Sequence, residues 1–216
     1  EADKAAVADR VAAAKAKGVD VISFRDDTFT ANRNFVLGLC QRMVEEKLGM
    51  RWACLGRADQ VDEETAAALG RAGCFEMHIG VETVNESTLE ATDKKLSLSR
   101  LKEGFALLKN HGVRPKGTFI LGLPGETRAD MLETAKAVAA LPIDGIKVHS
   151  LLALRGTEVG RLFEEGKIEL MTQEDYVSAV CDVLELLPPS VVVQRITAEG
   201  YRDIYVNTSA ALSREA

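Results

Sequence analysis

The chain has 216 residues, of which 46% are hydrophobic and 28% charged, and its formal net charge is −6 at pH 7. This composition is typical of a globular domain of substantial size, and it gives no sign of a nucleic-acid backbone or an anionic membrane as the main partner. No apolar run reaches the roughly 18 residues that a membrane span needs, and no signal peptide is visible. We therefore expect a cytoplasmic protein.

The predicted elements alternate between helices and strands along the chain. An amphipathic helix over Glu1–Lys17 comes first, and helices with apolar residues on one face then separate the strands. The predicted strands are Val19–Phe24, Arg51–Leu55, Phe75–Val81, Lys116–Leu121 and Gly145–Leu151. This alternation indicates a parallel sheet, and short right-handed crossovers favour a barrel or a doubly wound sheet.

The last third of the chain departs from this rhythm. Two helices are predicted at Thr157–Glu165 and Thr172–Leu187, and a final strand at Val191–Ile196. No low-complexity linker intervenes, so we predict one domain over residues 1–216 with a helical and strand extension from about residue 157. Because a helix comes first with no strand before it, we expect the chain to lack the first strand of its fold. The sheet would then have an exposed edge strand, which favours self-association.

Charged or glycine-rich groups follow the predicted strands where each one ends. In parallel βα folds, functional groups gather at this edge. Carboxylates there accept from an ammonium group or ribose hydroxyls, an arginine pairs with a carboxylate, and glycines let backbone approach a flat ligand. The pattern predicts a polar site for a zwitterionic or polyhydroxyl ligand. The groups concerned are Asp26, Asp27, Arg57, Glu82, Gly122, Gly125 and His149.

Structural explanations of the same groups remain open. Asp26 and Asp27 also suit a loop that caps the next helix, and Glu82 also suits an ion pair with a core base. The segment Gly122–Gly125 also suits a simple turn, and His149 also suits a satisfied interior position. The histidines and carboxylates show no metal-ligand spacing, and the sequence has no nucleophile elbow, P-loop or dinucleotide fingerprint.

The four cysteines show no spacing typical of a metal or redox site. They are separated by 14 residues or more, which matches no zinc knuckle, CxxC pair or ferredoxin-type run. We expect them to be small buried apolar residues. They are Cys40, Cys54, Cys74 and Cys181.

Several strand-end segments resemble the radical S-adenosylmethionine (SAM) superfamily. Asp26–Thr30 and Ala72–Thr83 resemble the second- and fourth-strand motifs of the branch that contains cobalamin-binding enzymes, and methylthiotransferase-like relatives share the layout. Phe119–Thr127 resembles a frequent fifth-strand motif. From about Val113 the chain is similar to a second branch, and a natural intermediate or a recombined sequence would explain the difference. The segments that carry this second likeness are Gly145–His149, Arg155–Thr157, Leu162–Gly166, and Gln194–Thr197 with Gly200, Arg202 and Asp203.

The resemblance spans roughly residues 5–205 and implies a fold and a ligand. The implied fold is α/β, a partial (β/α)6 TIM-like barrel of parallel strands with the first strand missing. The implied ligand is SAM, lying across the C-terminal strand edges. By resemblance, Asp26 or Asp27 holds the amino group of SAM, and Arg57 pairs with the SAM carboxylate. Glu82 contacts the ribose or the amino acid portion of SAM. Ile120 packs on adenine, Gly122 and Gly125 allow close approach, and the backbone around His149 borders the adenine.

The resemblance also implies an iron–sulfur cluster, which the chain does not provide for. In the family, a reduced [4Fe–4S] cluster cleaves SAM to a 5′-deoxyadenosyl radical, and a CxxxCxxC motif after the first strand holds the cluster. That motif is absent from the 216 residues, and the four cysteines do not replace it by spacing. The resemblance predicts that the full-length protein, with its cluster, is a radical SAM enzyme. It leaves the catalytic residues and the substrate open.

Two other hypotheses stay open. One is a barrel module or subunit that binds SAM or a nucleotide without a cluster and without catalysis. The other is an unrelated barrel enzyme such as an aldolase, which needs a Schiff-base lysine on a strand. Lys116 and Lys147 have suitable positions for that lysine.

Overall fold

The computed structural model describes residues 3–91, 97–198, 205 and 206. The helices are α1 (Lys4–Ala16), α2 (Arg33–Glu45), α3 (Glu63–Arg71), α4 (Glu86–Ala91), α5 (Leu98–Asn110), α6 (Arg128–Ala139), α7 (Glu158–Glu164) and α8 (Gln173–Leu186). The strands are β1 (Val21–Ser23), β2 (Arg51–Gly56), β3 (Cys74–Glu82), β4 (Arg114–Leu121), β5 (Gly145–Ser150) and β6 (Val192–Arg195). Short 3₁₀ turns lie at Phe29–Ala31 and Ala58–Gln60.

The strands form one sheet in the order β1-β2-β3-β4-β5-β6. The pairs β1–β2, β2–β3 and β5–β6 are parallel. Strands that follow the chain order and are joined by helices confirm the predicted α/β class, a partial (β/α)6 TIM-like arrangement. Within the described residues, no helix combines the length and the apolar character needed to cross a lipid bilayer.

The chain divides into two compact units, of which the first comprises Glu1–Gly80, Leu96–Gly117 and Leu141–Asp144. In this unit α2 packs on α1 and α3, and α5 packs on α3 and on the turn Ala58–Gln60. The fully buried Trp52 donates from Nε1 to the Ala72 carbonyl at 2.8 Å. The centroid of its ring lies 5.2 Å from that of Phe24 and 5.4 Å from that of Phe29. The three rings form an aromatic core beside β1 and β2.

The second unit comprises Val81–Lys95, Thr118–Ala140 and Gly145–Ala216. Helix α6 packs on α8, where Arg128 Nε donates to Asp182 Oδ2 at 3.1 Å. The Tyr176 hydroxyl of α8 donates to the Ile196 carbonyl at 2.7 Å. These contacts hold the last helix against the end of β6. The predicted single domain with an extension from about residue 157 stays a prediction.

Side-chain caps fix where several helices begin. Thr127 and Asp130 form a reciprocal capping box at the start of α6, as their spacing indicates. Thr172 accepts from the Asp175 amide at 3.1 Å, which starts α8. Asp62 accepts from the Thr65 amide at 2.8 Å, which starts α3.

The Asp62 cap predicts a pH-dependent contribution to stability. Hydrogen bonding by Thr65, followed by the Arg33 guanidinium, lowers the pKa of Asp62 to about 2. The pKa of Asp62 is lower in the folded chain than in the unfolded chain, where it is about 4, so the ionised side chain stabilises the fold above pH 4. That contribution is lost as the pH falls toward 2. We expect Asp62→Ala to lower the free energy of unfolding by about 1 kcal/mol at pH 7. Urea unfolding should show the gap to wild type closing between pH 4 and pH 2; a constant gap would contradict this role.

Several element boundaries differ from the sequence-based expectations by one to three residues. β1 begins at Val21 instead of Val19, because the Val19 amide donates to the Ala14 carbonyl at 3.2 Å and closes the end of α1. β3 and β4 each begin earlier than predicted, and α4 was not predicted. Residues 1 and 2 of the predicted first helix, and Gly200, Arg202 and Asp203, lie outside the described residues.

Exposed valines mark the first and last strands of the sheet. Val21 of β1 is 46% exposed, and Val192 of β6 is 56% exposed. Apolar outer strands favour edge-to-edge pairing. Self-association nevertheless stays a prediction, and size-exclusion chromatography that gave a monomer at high concentration would count against it.

Candidate functional site

In the first unit, the loop that follows β1 is tied to the loop that follows β2. Asp26 and Asp27 lie exposed in the first of these loops. The buried Thr30 donates from Oγ1 to Gln60 Oε1 at 2.9 Å and accepts from the Arg57 amide at 3.0 Å. The local sequence does not reveal these hydrogen bonds, because the partners of Thr30 lie 27 and 30 residues away.

Arg57 is paired with a carboxylate of its own unit. Its Nε and Nη2 donate to the two oxygens of Asp59 at 3.0 and 2.7 Å, a bidentate arrangement. This hydrogen bonding raises the pKa of Arg57 and lowers the pKa of Asp59. The predicted pairing of Arg57 with a ligand carboxylate therefore requires Asp59 to share the guanidinium or to release it.

In the second unit, β3 ends in a strained turn. Glu82 has a φ of 63°, in the left-handed region that residues other than glycine seldom adopt. The Thr83 amide donates to the Val81 carbonyl at 2.8 Å, which closes a three-residue turn centred on Glu82. A γ-turn with positive φ is rare and strained, and strain of about 1–3 kcal/mol concentrates at functional sites. Glu82 is therefore the site residue that the backbone marks most strongly.

Glycine allows close packing where β4 ends. Gly122 has a φ of 80°, and a Cβ added there would lie 2.8 Å from Cγ and Sδ of Met171. Its amide donates to Met131 Sδ at 3.3 Å. Gly125 has a φ of 84° and open space around it, and Ile120 is half-buried just before the turn. The segment Ile120–Gly125 therefore presents backbone at the strand end, and the approach of a ligand to it stays a prediction.

A small cavity of about 20 Å³ adjoins this strand end in the second unit. That volume holds about one water molecule, far less than a nucleoside needs. The lining side chains include Met171, which already fills the space over Gly122. An unbranched methionine adapts readily, so Met171 is the group that a ligand at Gly122 would meet first. The full lining is Leu121, Gly122, Ser150, Leu151, Leu170, Met171, Thr172, Gln173 and Tyr176.

His149 lies half-buried near the end of β5. Burial, followed by the positive charges of Arg195 and Lys147, lowers the pKa of His149. Its Nε2 is buried and has no hydrogen-bond partner among the described residues. Burial and these charges thus favour the neutral imidazole, and one ring nitrogen lacks a hydrogen bond among the described residues, where the sequence alone left a satisfied interior histidine open.

Charged side chains also lie within β3 and β4 of the first unit. Lys116 is 4% exposed, and its Nζ lies 3.7 Å from Glu76 Oε2 and donates to the Asp144 carbonyl at 3.3 Å. His78 Nε2 lies 2.9 Å from the other Glu76 oxygen. Glu76 and Lys116 lie near the starts of their strands, at the end opposite to the predicted site. This position and pairing disfavour Lys116 as a Schiff-base lysine.

The cysteines of the described residues do not fit a [4Fe–4S] cluster. Cys40, Cys54 and Cys74 are buried and Cys181 is exposed. Burial raises the pKa of Cys40 to about 12, and burial with the neighbouring Cys54 raises that of Cys74, whereas cluster ligands are thiolates. Among the residues that the structure describes, no group of three or more His, Cys, Asp or Glu side chains could hold a metal ion. No chemical step through a cluster can therefore be assigned to these residues.

Comparison with protein families identifies the class of protein that this fold and these strand ends define. The family model of the radical SAM superfamily matches residues 1–138, and that of the Radical_SAM C-terminal domain matches residues 143–213. The chain belongs to the radical SAM superfamily.

Particular relatives match only in part. The chain is 44% identical over 124 residues to the uncharacterized protein YtqA of Bacillus subtilis, a match that covers 57% of this chain and 38% of YtqA. It is 31% identical over 127 residues to the uncharacterized methyltransferase PH0819 of Pyrococcus horikoshii, which covers 59% of this chain and 28% of that protein. The chain thus spans well under half the length of these relatives.

Solved structures share the fold at low sequence identity. The archaeal Elp3 of Methanocaldococcus infernus superposes with a TM-score of 0.70 at 18% identity, covering 93% of this chain and 54% of Elp3. The radical SAM methyltransferase TsrM of Kitasatospora setae, solved with cobalamin and a [4Fe–4S] cluster, superposes with a TM-score of 0.70 at 17% identity, covering 89% and 49% of the two chains. Both likenesses support the fold assignment alone.

Proposed function

We propose that the chain is the SAM-binding core of a radical SAM enzyme. The observation that carries this proposal is the strained turn at Glu82, which follows β3 in the same unit as the left-handed Gly122 that follows β4. A carboxylate at one strand end and bare backbone at another suit a ribose and an adenine, respectively. Superfamily membership makes SAM the first ligand to test.

Each predicted site residue has a role in this proposal. Glu82 accepts from ribose hydroxyls or from the amino acid portion, and Ile120 packs on the adenine. Gly122 and Gly125 allow the ligand to approach the backbone, and the segment around His149 borders the adenine. The roles of Asp26, Asp27 and Arg57, which belong to the first unit, rest on the resemblance alone.

Calorimetric titration of SAM into the purified chain tests the proposal. We expect Glu82→Ala to weaken binding by about tenfold or more, because a charge-assisted hydrogen bond is lost. Glu90→Ala is the matched control, since Glu90 is an exposed glutamate on α4 of the same unit. Equal affinities for wild type and Glu82→Ala would refute the role of Glu82. A folded chain that bound no SAM would refute the proposal itself.

Glu82→Gly separates ligand binding from folding at the same position. Glycine adopts positive φ without steric cost, so this variant should relieve up to about 1 kcal/mol of backbone strain. We expect Glu82→Gly to be at least as stable in urea unfolding as Glu82→Ala, and both to bind SAM weakly. If Glu82→Gly were clearly the less stable of the two, the turn would not be strained.

A module that binds SAM or a nucleotide without catalysis is the second candidate. Titration with S-adenosylhomocysteine, adenosine and ATP distinguishes its forms. A preference for ATP over both SAM and S-adenosylhomocysteine would favour a nucleotide module.

A further inference from the structure

A buried hydroxyl in the second unit joins the turn at Glu82 to the loop that follows β4. Thr83 is 1% exposed, and its Oγ1 donates to Glu126 Oε1. The same oxygen lies 3.3 Å from Thr134 Oγ1 and accepts from the Asn85 amide at 3.0 Å. A hydroxyl has one proton and two lone pairs, so Thr134 is the donor in its pair with Thr83, and Thr83 is fully satisfied.

Further bonds extend this cluster along both segments. The Val84 amide donates to Thr134 Oγ1 at 3.2 Å, and Asn85 Nδ2 donates to Asp130 Oδ1 at 3.0 Å. The Glu126 amide donates to the Leu123 carbonyl at 3.0 Å. The residues after Glu82 are thus bonded to the residues after Gly122, although 40 to 50 positions separate them in the chain.

Glu126 is a half-buried member of this cluster. Its Oε1 accepts from the Thr83 hydroxyl, and Thr88 also hydrogen-bonds to the carboxyl group. Burial raises the pKa of Glu126 even though these bonds lower it. The carboxyl group thus stays between the two segments although burial disfavours its charged form.

The left-handed turn at Glu82 and the half-buried Glu126 therefore lie next to each other. Thr83 belongs to both, because its amide closes the turn and its hydroxyl binds Glu126. We propose that Glu126 is a positioning residue that holds Glu82, through Thr83, in the conformation that binds SAM. This inference rests on the proposed function, and it adds a residue that acts on the ligand only through another side chain.

The proposal is tested by SAM titration of Glu126→Ala in two backgrounds. With Glu82 present, we expect Glu126→Ala to weaken SAM binding by about tenfold. In the Glu82→Ala background the same change should have less than about a twofold effect, because there is no carboxylate left to position. Equal losses in both backgrounds would show a general structural role and would overturn the proposal, as would no loss in either.

Conservative variants and a matched control sharpen the result. Glu126→Gln and Thr83→Ser retain the hydrogen-bonding oxygens and should retain most of the affinity, whereas Thr83→Val should behave like Glu126→Ala. Glu133→Ala changes an exposed glutamate of α6, the helix that follows Glu126, and should leave binding unchanged. A loss with Glu126→Gln as large as that with Glu126→Ala would contradict the role of these bonds.

A second measurement does not depend on the ligand. The Thr83 amide closes the turn at Glu82, so its hydrogen-exchange rate reports whether that turn persists. We expect Glu126→Ala to accelerate this exchange by about tenfold or more in the unliganded chain, and Glu133→Ala to leave it unchanged. Unchanged protection in Glu126→Ala would overturn the proposal even if Glu82→Ala bound SAM too weakly to measure. Failure of wild type to bind SAM would instead refute the proposed function.

Discussion

Replacing Gly104 with alanine is expected to lower the free energy of unfolding by about 3 kcal/mol. Gly104 is buried in α5, where a Cβ would lie 2.1 Å from the Ala58 carbonyl oxygen and 2.8 Å from its carbon. These are backbone atoms of the turn that follows Arg57, so α5 or the turn must shift. Urea unfolding of the two proteins measures the difference.

Gly38→Ala is the matched control for this substitution. Gly38 also lies inside a helix of the first unit, α2, but an added Cβ would meet only the flexible end of Lys4. Because alanine favours helix over glycine, Gly38→Ala should be neutral or stabilising by up to about 1 kcal/mol. Similar effects at both positions would contradict the close packing of α5 on the turn Ala58–Gln60.

Glu76→Ala is expected to have the second large effect, again about 3 kcal/mol of destabilisation. The substitution leaves the Lys116 ammonium 4% exposed, with the Asp144 carbonyl as its remaining hydrogen-bond acceptor. It also removes the carboxylate beside Arg114, at 3.6 Å, and beside His78. An unpaired buried charge costs far more than an exposed one, so the loss should exceed that of any surface pair.

A paired substitution isolates the cause. Glu76→Leu with Lys116→Met removes both charges and should recover most of the lost stability, because apolar groups of similar volume replace a buried pair at little cost. Glu103→Ala breaks an exposed pair with Arg100 and should change stability by less than about 0.5 kcal/mol. If the double variant were as unstable as Glu76→Ala, packing rather than the unpaired ammonium would explain the loss.

The sequence predicted the helices and strands well because those signals are local. Apolar runs and helix faces each depend on residues a few positions apart. The fold assignment came from the resemblance of short strand-end motifs, and the family matches confirm it. The short helix α4 was missed, because its six residues carry no apolar period long enough to recognise.

The parts that were missed depend on contacts between distant residues. Lys116 was a candidate Schiff-base lysine by its position in the sequence, and only the sheet places it beside Glu76. Thr83 and Glu126 lie 43 residues apart, so their hydrogen bond could not be read from either motif alone. The pairing of Arg57 with Asp59 could have been predicted from the sequence, because the two residues are only two positions apart. It was missed because the turn that contains Asp59 was not predicted.

Binding of SAM at the strand ends is tested by hydrogen exchange with and without S-adenosylhomocysteine, a stable SAM analogue. We expect slower exchange with the analogue in the amides of residues 82–85, 120–126 and 148–151, which include the ends of β3, β4 and β5. Binding that left these amides unchanged and slowed exchange elsewhere, for example at the open hollow beside Asp62 and Arg100, would contradict it.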